Sequence, residues 1–109
     1  FLGHNAHVQA TFGLTARAVY AQDKENLPKL LSMLAACERT SIRGAPTWGV
    51  LIRGYIIIGD FDKAREVMNI AAQLKPAYAR NLMRDLSDEL KVGRGDVLRR
   101  IAPNPYPAE

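Results

Sequence analysis

Thr11-Phe12-Gly13 and Thr47-Trp48-Gly49 are one tripeptide with the aromatic exchanged, placed 36 residues apart. Arg17 and Arg53 repeat the interval, as do Ala35-Ala36 with Ala71-Ala72 and Gly59-Asp60 with Gly95-Asp96. No other feature constrains the fold as much, because self-similarity at this period marks a stacked array of helical pairs. One pair cannot bury its apolar face alone, so neighbours stack in one dimension.

The residues between the echoes read as three helical pairs and a tail. A first helix is predicted from about Asn5 to Tyr20, with Val8, Phe12, Val19 and alanines on its apolar side and Asp23-Lys24-Glu25 ending it. Asn26 is placed to cap the second helix, with Pro28 in its first turn. Leu27, Leu30, Leu31 and Leu34 then form a stripe at helical spacing, which breaks at Ser41 to Gly44. Pro46 opens the third helix and Gly59 closes it. Asp60 caps the fourth, whose apolar face is Phe61, Ala64, Val67, Met68, Ala71 and Leu74. Pro76 opens the fifth, with one narrow stripe of Tyr78, Leu82, Leu86 and Leu90, and Gly93 ends it. Asp96 caps a short sixth helix through Val97, Leu98 and Ile101. Pro103-Asn104-Pro105-Tyr106-Pro107 cannot continue a helix and reads as an extended tail. Nowhere does period-two alternation between turn residues argue for a strand.

Composition removes several function classes. The chain has 109 residues, 48% of them hydrophobic and 24% charged, enough for one domain with a modest core. Its most hydrophobic run, Tyr55 to Ile58, is far too short to span a bilayer, so no membrane insertion is expected. A lone Cys37 in an apolar helical stretch reads as a buried thiol and excludes an internal disulfide. The net charge of +4 gives mild attraction to polyanions, but the cations are spread along the chain rather than gathered as in a dedicated nucleic-acid groove. His4 and His7 have a His-x-x-His spacing without a third ligand, so no metal site is expected. There is no phosphate loop, nucleophile motif or carboxylate pair tied to a His. The expectation is a chain that is not an enzyme, with no cofactor and no small-molecule substrate.

Residues 45–76 resemble two related families. Trp48, Leu51, Tyr55, Gly59, Ala64, Met68, Ala71 and Pro76 occupy the offsets of a tetratricopeptide repeat, with Ile52 standing where a small residue is usual. The run Pro46 to Tyr55, followed by Gly59 to Met68, is also similar to the pentatricopeptide repeat. Gly54 before Tyr55, the Leu51-Ile52 pair and the 36-residue period favour that family. The first unit matches loosely, and the third scarcely beyond its turn. The resemblance implies an all-α fold, a helical-hairpin repeat array (α-solenoid) of about three helix pairs. Its units would be repeat 1 at 10–45, repeat 2 at 46–76, a degenerate capping repeat at 77–102 and a proline-rich tail at 103–109.

The pentatricopeptide resemblance also implies single-stranded RNA as ligand, read by the residue just after the aromatic of each first helix. Here that residue is Gly13 or Gly49, and its end-of-repeat partner is Gly44. Glycine has no side-chain donor or acceptor, so base readout is lost. Backbone contact stays open. Arg17 and Arg53 lie one turn beyond those glycines and are expected on one inner face, each able to pair with a phosphate, or equally to form protein salt bridges. Lys91, Arg94, Arg99 and Arg100 beside the tail fit RNA backbone, an acidic protein or a solvated helix end. Ile56, Ile57 and Ile58 point to nearly every side of one helix, so at least one is expected to be exposed and covered by a partner. Tyr106 in the tail is a further interface candidate.

The reading that follows is a non-enzymatic scaffold or adaptor that docks on protein subunits of a larger assembly, with sequence-independent RNA contact second. Organellar location, a mitochondrial ribonucleoprotein such as the mitoribosome, comes from the family resemblance, and a chain starting at Phe1 fits a cleaved leader. The alternative is a tetratricopeptide-like protein–protein interaction module, or an accessory subunit of an organellar membrane complex, without RNA.

Overall fold

The computed structural model describes residues 2–41, 45–90 and 95–104, with side chains throughout except at 2–6, 38–41 and 45. Six helices and no strand occur among them: α1 Leu2–Ala21, α2 Leu27–Ser41, α3 Ala45–Ile58, α4 Phe61–Leu74, α5 Pro76–Leu90 and α6 Gly95–Ile101. The protein is all-α. Each helix packs on the next in the chain, and α1 also packs on α3, and α4 on α6. Side chains join α3 to α5, so α1, α3 and α5 form one row. The Cα extents are 40 × 30 × 19 Å, and the shortest is the thickness of two helices.

The turns show how the chain makes its hairpins. Gly59 has φ of 82°, the left-handed conformation that glycine adopts without a Cβ penalty. Its N–H bonds the Ile56 carbonyl at 3.1 Å, and the Asp60 N–H bonds the Tyr55 carbonyl at 2.8 Å. This paired closure ends α3. Asp60 Oδ1 then accepts from the Lys63 N–H at 3.3 Å and caps α4. The α1–α2 turn repeats the closure and the aspartate acceptor, although α2 itself starts only at Leu27. Gln22 takes φ of 54°, its N–H bonds Val19 and the Asp23 N–H bonds Ala18. Asp23 Oδ1 accepts from the Asn26 N–H at 3.2 Å. The capping residue is therefore Asp23. Asn26 is not the side-chain cap the sequence suggests: its amide turns back to donate to Asp23 Oδ2 at 2.8 Å.

Equivalent turns thus align Asp23 with Asp60, an interval of 37 residues, not 36. Burial follows the same register. Leu27, Leu31 and Leu34 correspond to Ala64, Met68 and Ala71, and all six are almost wholly buried. On α1 the buried line is Val8, Thr11, Thr15 and Ala18, with Phe12 and Val19 only partly covered. Thr15 satisfies its hydroxyl by donating to the Thr11 carbonyl at 2.7 Å, which lets a threonine serve as core. Its counterpart Ile52 fills the same place with hydrocarbon. The close helix approach occurs at Gly54, where a Cβ would stand 2.5 Å from Leu31 Cδ2.

Other expectations shift. The apolar face of α5 is broader than one stripe, because Ala79 and Met83 join Leu82 and Leu86 in the core. Leu74 is exposed. Asp96 lies inside the first turn of α6 rather than before it. Pro103 is buried and the Asn104 N–H donates to Asn69 Oδ1 at 3.0 Å, so the start of the tail is tied to α4. Trp48 is the largest fully buried side chain. Its indole N–H has no acceptor among the described residues, a cost of about 1–3 kcal/mol that its packing outweighs. No described helix is long and apolar enough to cross a membrane.

Candidate functional site

A groove of about 330 Å³ opens between the C-terminal parts of α1, α3 and α5. Its floor is apolar, from Val19, Ile56, Ile57, Leu86 and Leu90. Tyr20 and Gln22 stand on one rim and the Arg53–Glu89 pair on the other. The α1 turn puts Tyr20 there, with its side chain 93% exposed. An aromatic left in solvent above an apolar floor is the most conspicuous surface feature among the described residues.

The opposite rim is held by charge. Arg53 Nε donates to Glu89 Oε1 at 3.0 Å and Nη2 to Oε2 at 2.7 Å, a bidentate pair between α3 and α5. Nη1 also reaches the Gly49 carbonyl at 3.4 Å. The hydrogen bond that Arg53 donates to Glu89 is the main cause that raises the Arg53 pKa, so this guanidinium is charged. Tyr78 of α5 packs its ring 6.1 Å from that of Trp48 at 50°. Burial raises the Tyr78 phenol above its ordinary range, while the Arg53 charge opposes the rise.

Gly49 is buried at this junction. A Cβ there would stand 3.0 Å from both Arg53 Nη1 and the Tyr78 hydroxyl. The position faces α5, and a side chain there would have to displace the ends of Arg53 and Tyr78 by a few tenths of an ångström. Gly13, by contrast, has open space where its Cβ would be. The two glycines share a sequence echo and differ in environment, as the 37-residue register requires.

That register also separates the two arginines. Arg17 corresponds to Gly54, and Arg53 to Ala16. Arg17 lines a different groove, between α1 and α2, so the two arginines do not share one inner face. On α6, Arg99 and Arg100 are exposed, and the Arg100 guanidinium lies 4.6 Å over the Phe61 ring. Lys91, Arg94, Tyr106 and Gly44 lie outside the described residues. Of the three isoleucines, Ile56 is buried in the core, while Ile57 and Ile58 are half-buried and packed against it. None is exposed as expected, although Ile57 contributes to the groove floor. Sequence reasoning missed Tyr20 and Glu89.

Among the described residues no three His, Cys, Asp or Glu side chains converge as metal ligands. The groove offers shape, an aromatic lip and a fixed ion pair, which suit a docked aliphatic or aromatic side chain. Comparison with protein-family models, curated proteins and solved structures gave no match.

Proposed function

We propose that this chain is a non-enzymatic helical-repeat scaffold, an α-solenoid of about three helix pairs. It docks a protein segment in the groove along α1, α3 and α5. The observation that carries the reading is the exposed Tyr20 above an apolar floor. Exposed aromatics beside apolar pockets are the residues that dominate protein interfaces. The setting, a mitochondrial ribonucleoprotein such as the mitoribosome, rests on the pentatricopeptide resemblance. Protein contact comes first in that setting. RNA contact is confined to backbone phosphates at Arg17, Arg99 and Arg100, since Glu89 already neutralises Arg53.

The same neutralised arginine favours a second reading, a tetratricopeptide-like interaction module without RNA. One measurement tests both readings and a second separates them. Replacing Tyr20 by a photoreactive phenylalanine should give ultraviolet crosslinks to protein in organelle extract; adducts to RNA alone would defeat both readings. Mixed-sequence RNA at low salt should bind weakly and lose affinity steeply as salt rises. No binding at low salt leaves only the module.

A further inference from the structure

We propose that the outer face of the first hairpin, formed by α1 and α2, is a docking site for an acidic amphipathic helix of another protein. This surface is distinct from the Tyr20 groove. It is a groove of about 600 Å³ whose lining includes Leu14, Arg17, Lys29, Leu30 and Met33. Leu14 is 47% exposed and Met33 37%, which makes an apolar strip on both helices.

The second hairpin shows what such a face receives. In the 37-residue register Leu14 corresponds to Leu51, Arg17 to Gly54 and Leu30 to Val67. On the second hairpin this side is not open: α2 packs on α3, and Leu31 sits directly against Gly54. The occupant of the equivalent place is a helix bearing leucine. On the first hairpin no described helix fills that place.

Arg17 decides the chemistry of what does. Where Gly54 admits a helix at close range, Arg17 holds one further away and presents a guanidinium. Lys29 stands on the facing helix, and both cations are exposed and in no ion pair among the described residues. The one carboxylate among the groove's lining residues, Asp23, is engaged by the amide and backbone N–H of Asn26 and is outnumbered by the two cations. The complement of this surface is therefore a helix with leucines on one side and carboxylates along the flank.

The test uses the full chain with labelled methyl groups. One probe is a synthetic helix-forming peptide with leucines at helical spacing flanked by glutamates; the other is the same peptide with lysines instead. The glutamate peptide should give saturable shifts at the Leu14 and Met33 methyls that weaken with added salt. Arg17→Glu with Lys29→Glu should weaken binding by at least about tenfold. Both residues are exposed, and circular dichroism confirms that the variant keeps its helicity. Tyr20→Ala should leave the affinity unchanged, so this surface and the proposed groove fail or stand separately. Three results would overturn the inference: no saturable shift, equal binding of the lysine peptide, or shifts at Ile57 in place of Leu14. Concentration-dependent self-association abolished by Arg17→Glu would also overturn it, in favour of a second copy.

Discussion

The α1–α2 and α3–α4 hairpins make the same turn from different residues. Both close with two backbone bonds, both place one residue at positive φ, and both cap the next helix with an aspartate. The second hairpin uses Gly59 at the strained position and hydrocarbon at Ile52; the first uses Gln22 and a self-satisfied Thr15. Geometry is kept while local cost is not minimised in the first hairpin. The N-terminal pair is held against the second through the packing of both α1 and α2 on α3.

Breaking that contact should have the largest effect. Leu31→Ala removes the buried leucine against Gly54 and should cost about 3 kcal/mol in urea unfolding. Gly54→Ala sets overpacking against a gain of about 1 kcal/mol in helix propensity, for a net loss of about 1 kcal/mol. In the Leu31→Ala background the clash is gone, and the same change should stabilise by about 1 kcal/mol. Additive effects would show that the close approach at Gly54 does not limit the packing.

The turns sharpen the comparison. Gly59→Ala forces a Cβ into the left-handed region and should cost about 1–2 kcal/mol. Gln22→Gly relieves that strain on the first hairpin and should stabilise by about 0.5–1 kcal/mol, read as a raised denaturant midpoint. Equal responses at the two sites would mean that the turns are not equivalent.

Much of this was legible before the structure. Gly59, Asp60 and the prolines mark helix ends by backbone chemistry that depends on few neighbours, so those boundaries emerge from local sequence. Arg53 shows the limit. Its partner Glu89 lies on another helix, and only the meeting of α3 with α5 decides that the arginine is paired. The surroundings of Gly49 are hidden for the same reason, because the Tyr78 hydroxyl beside it belongs to another helix. Gln22 gives no signal, since glutamine rarely takes positive φ and does so here because two backbone bonds fix it. Thr11 and Thr15 look polar in sequence, yet the Thr15 hydroxyl is satisfied within its own helix. The tripeptide echo falls one residue short of the structural register, enough to rotate every comparison along α1 by about 100°.

The caps come next in size. Asp60→Ala removes an acceptor for the Lys63 N–H and should cost about 1 kcal/mol. Asp23→Ala should act in the same direction and leave a pH signature. Hydrogen bonds from the Asn26 side chain, then its backbone, hold the Asp23 carboxyl below the ordinary range. A folded pKa below the unfolded one gives stabilisation that is present above the unfolded value and is lost as pH falls through the folded value. Denaturant midpoints followed from neutral into acid should therefore fall less steeply in Asn26→Ala, which lacks the side-chain donor.

The smallest effect is expected at the row of α1, α3 and α5. Arg53 ties α3 to α5, but its counterpart on α1, Ala16, can make no such tie to α3, which is bound instead by direct helix packing. Glu89 is about half exposed, so solvent screens much of the pair's attraction. Glu89→Gln should cost about 0.5 kcal/mol, and raising the salt concentration should erase most of the difference. Arg53→Gln should cost the same, and the double variant should cost little more than either single one, because each substitution already removes the shared interaction. Ala16→Arg tests the converse: it adds charge to α1 without a carboxylate placed to receive it, and should give no stabilisation. A gain there would mean that α1 meets α3 as α3 meets α5, and the asymmetry between the two junctions would be lost.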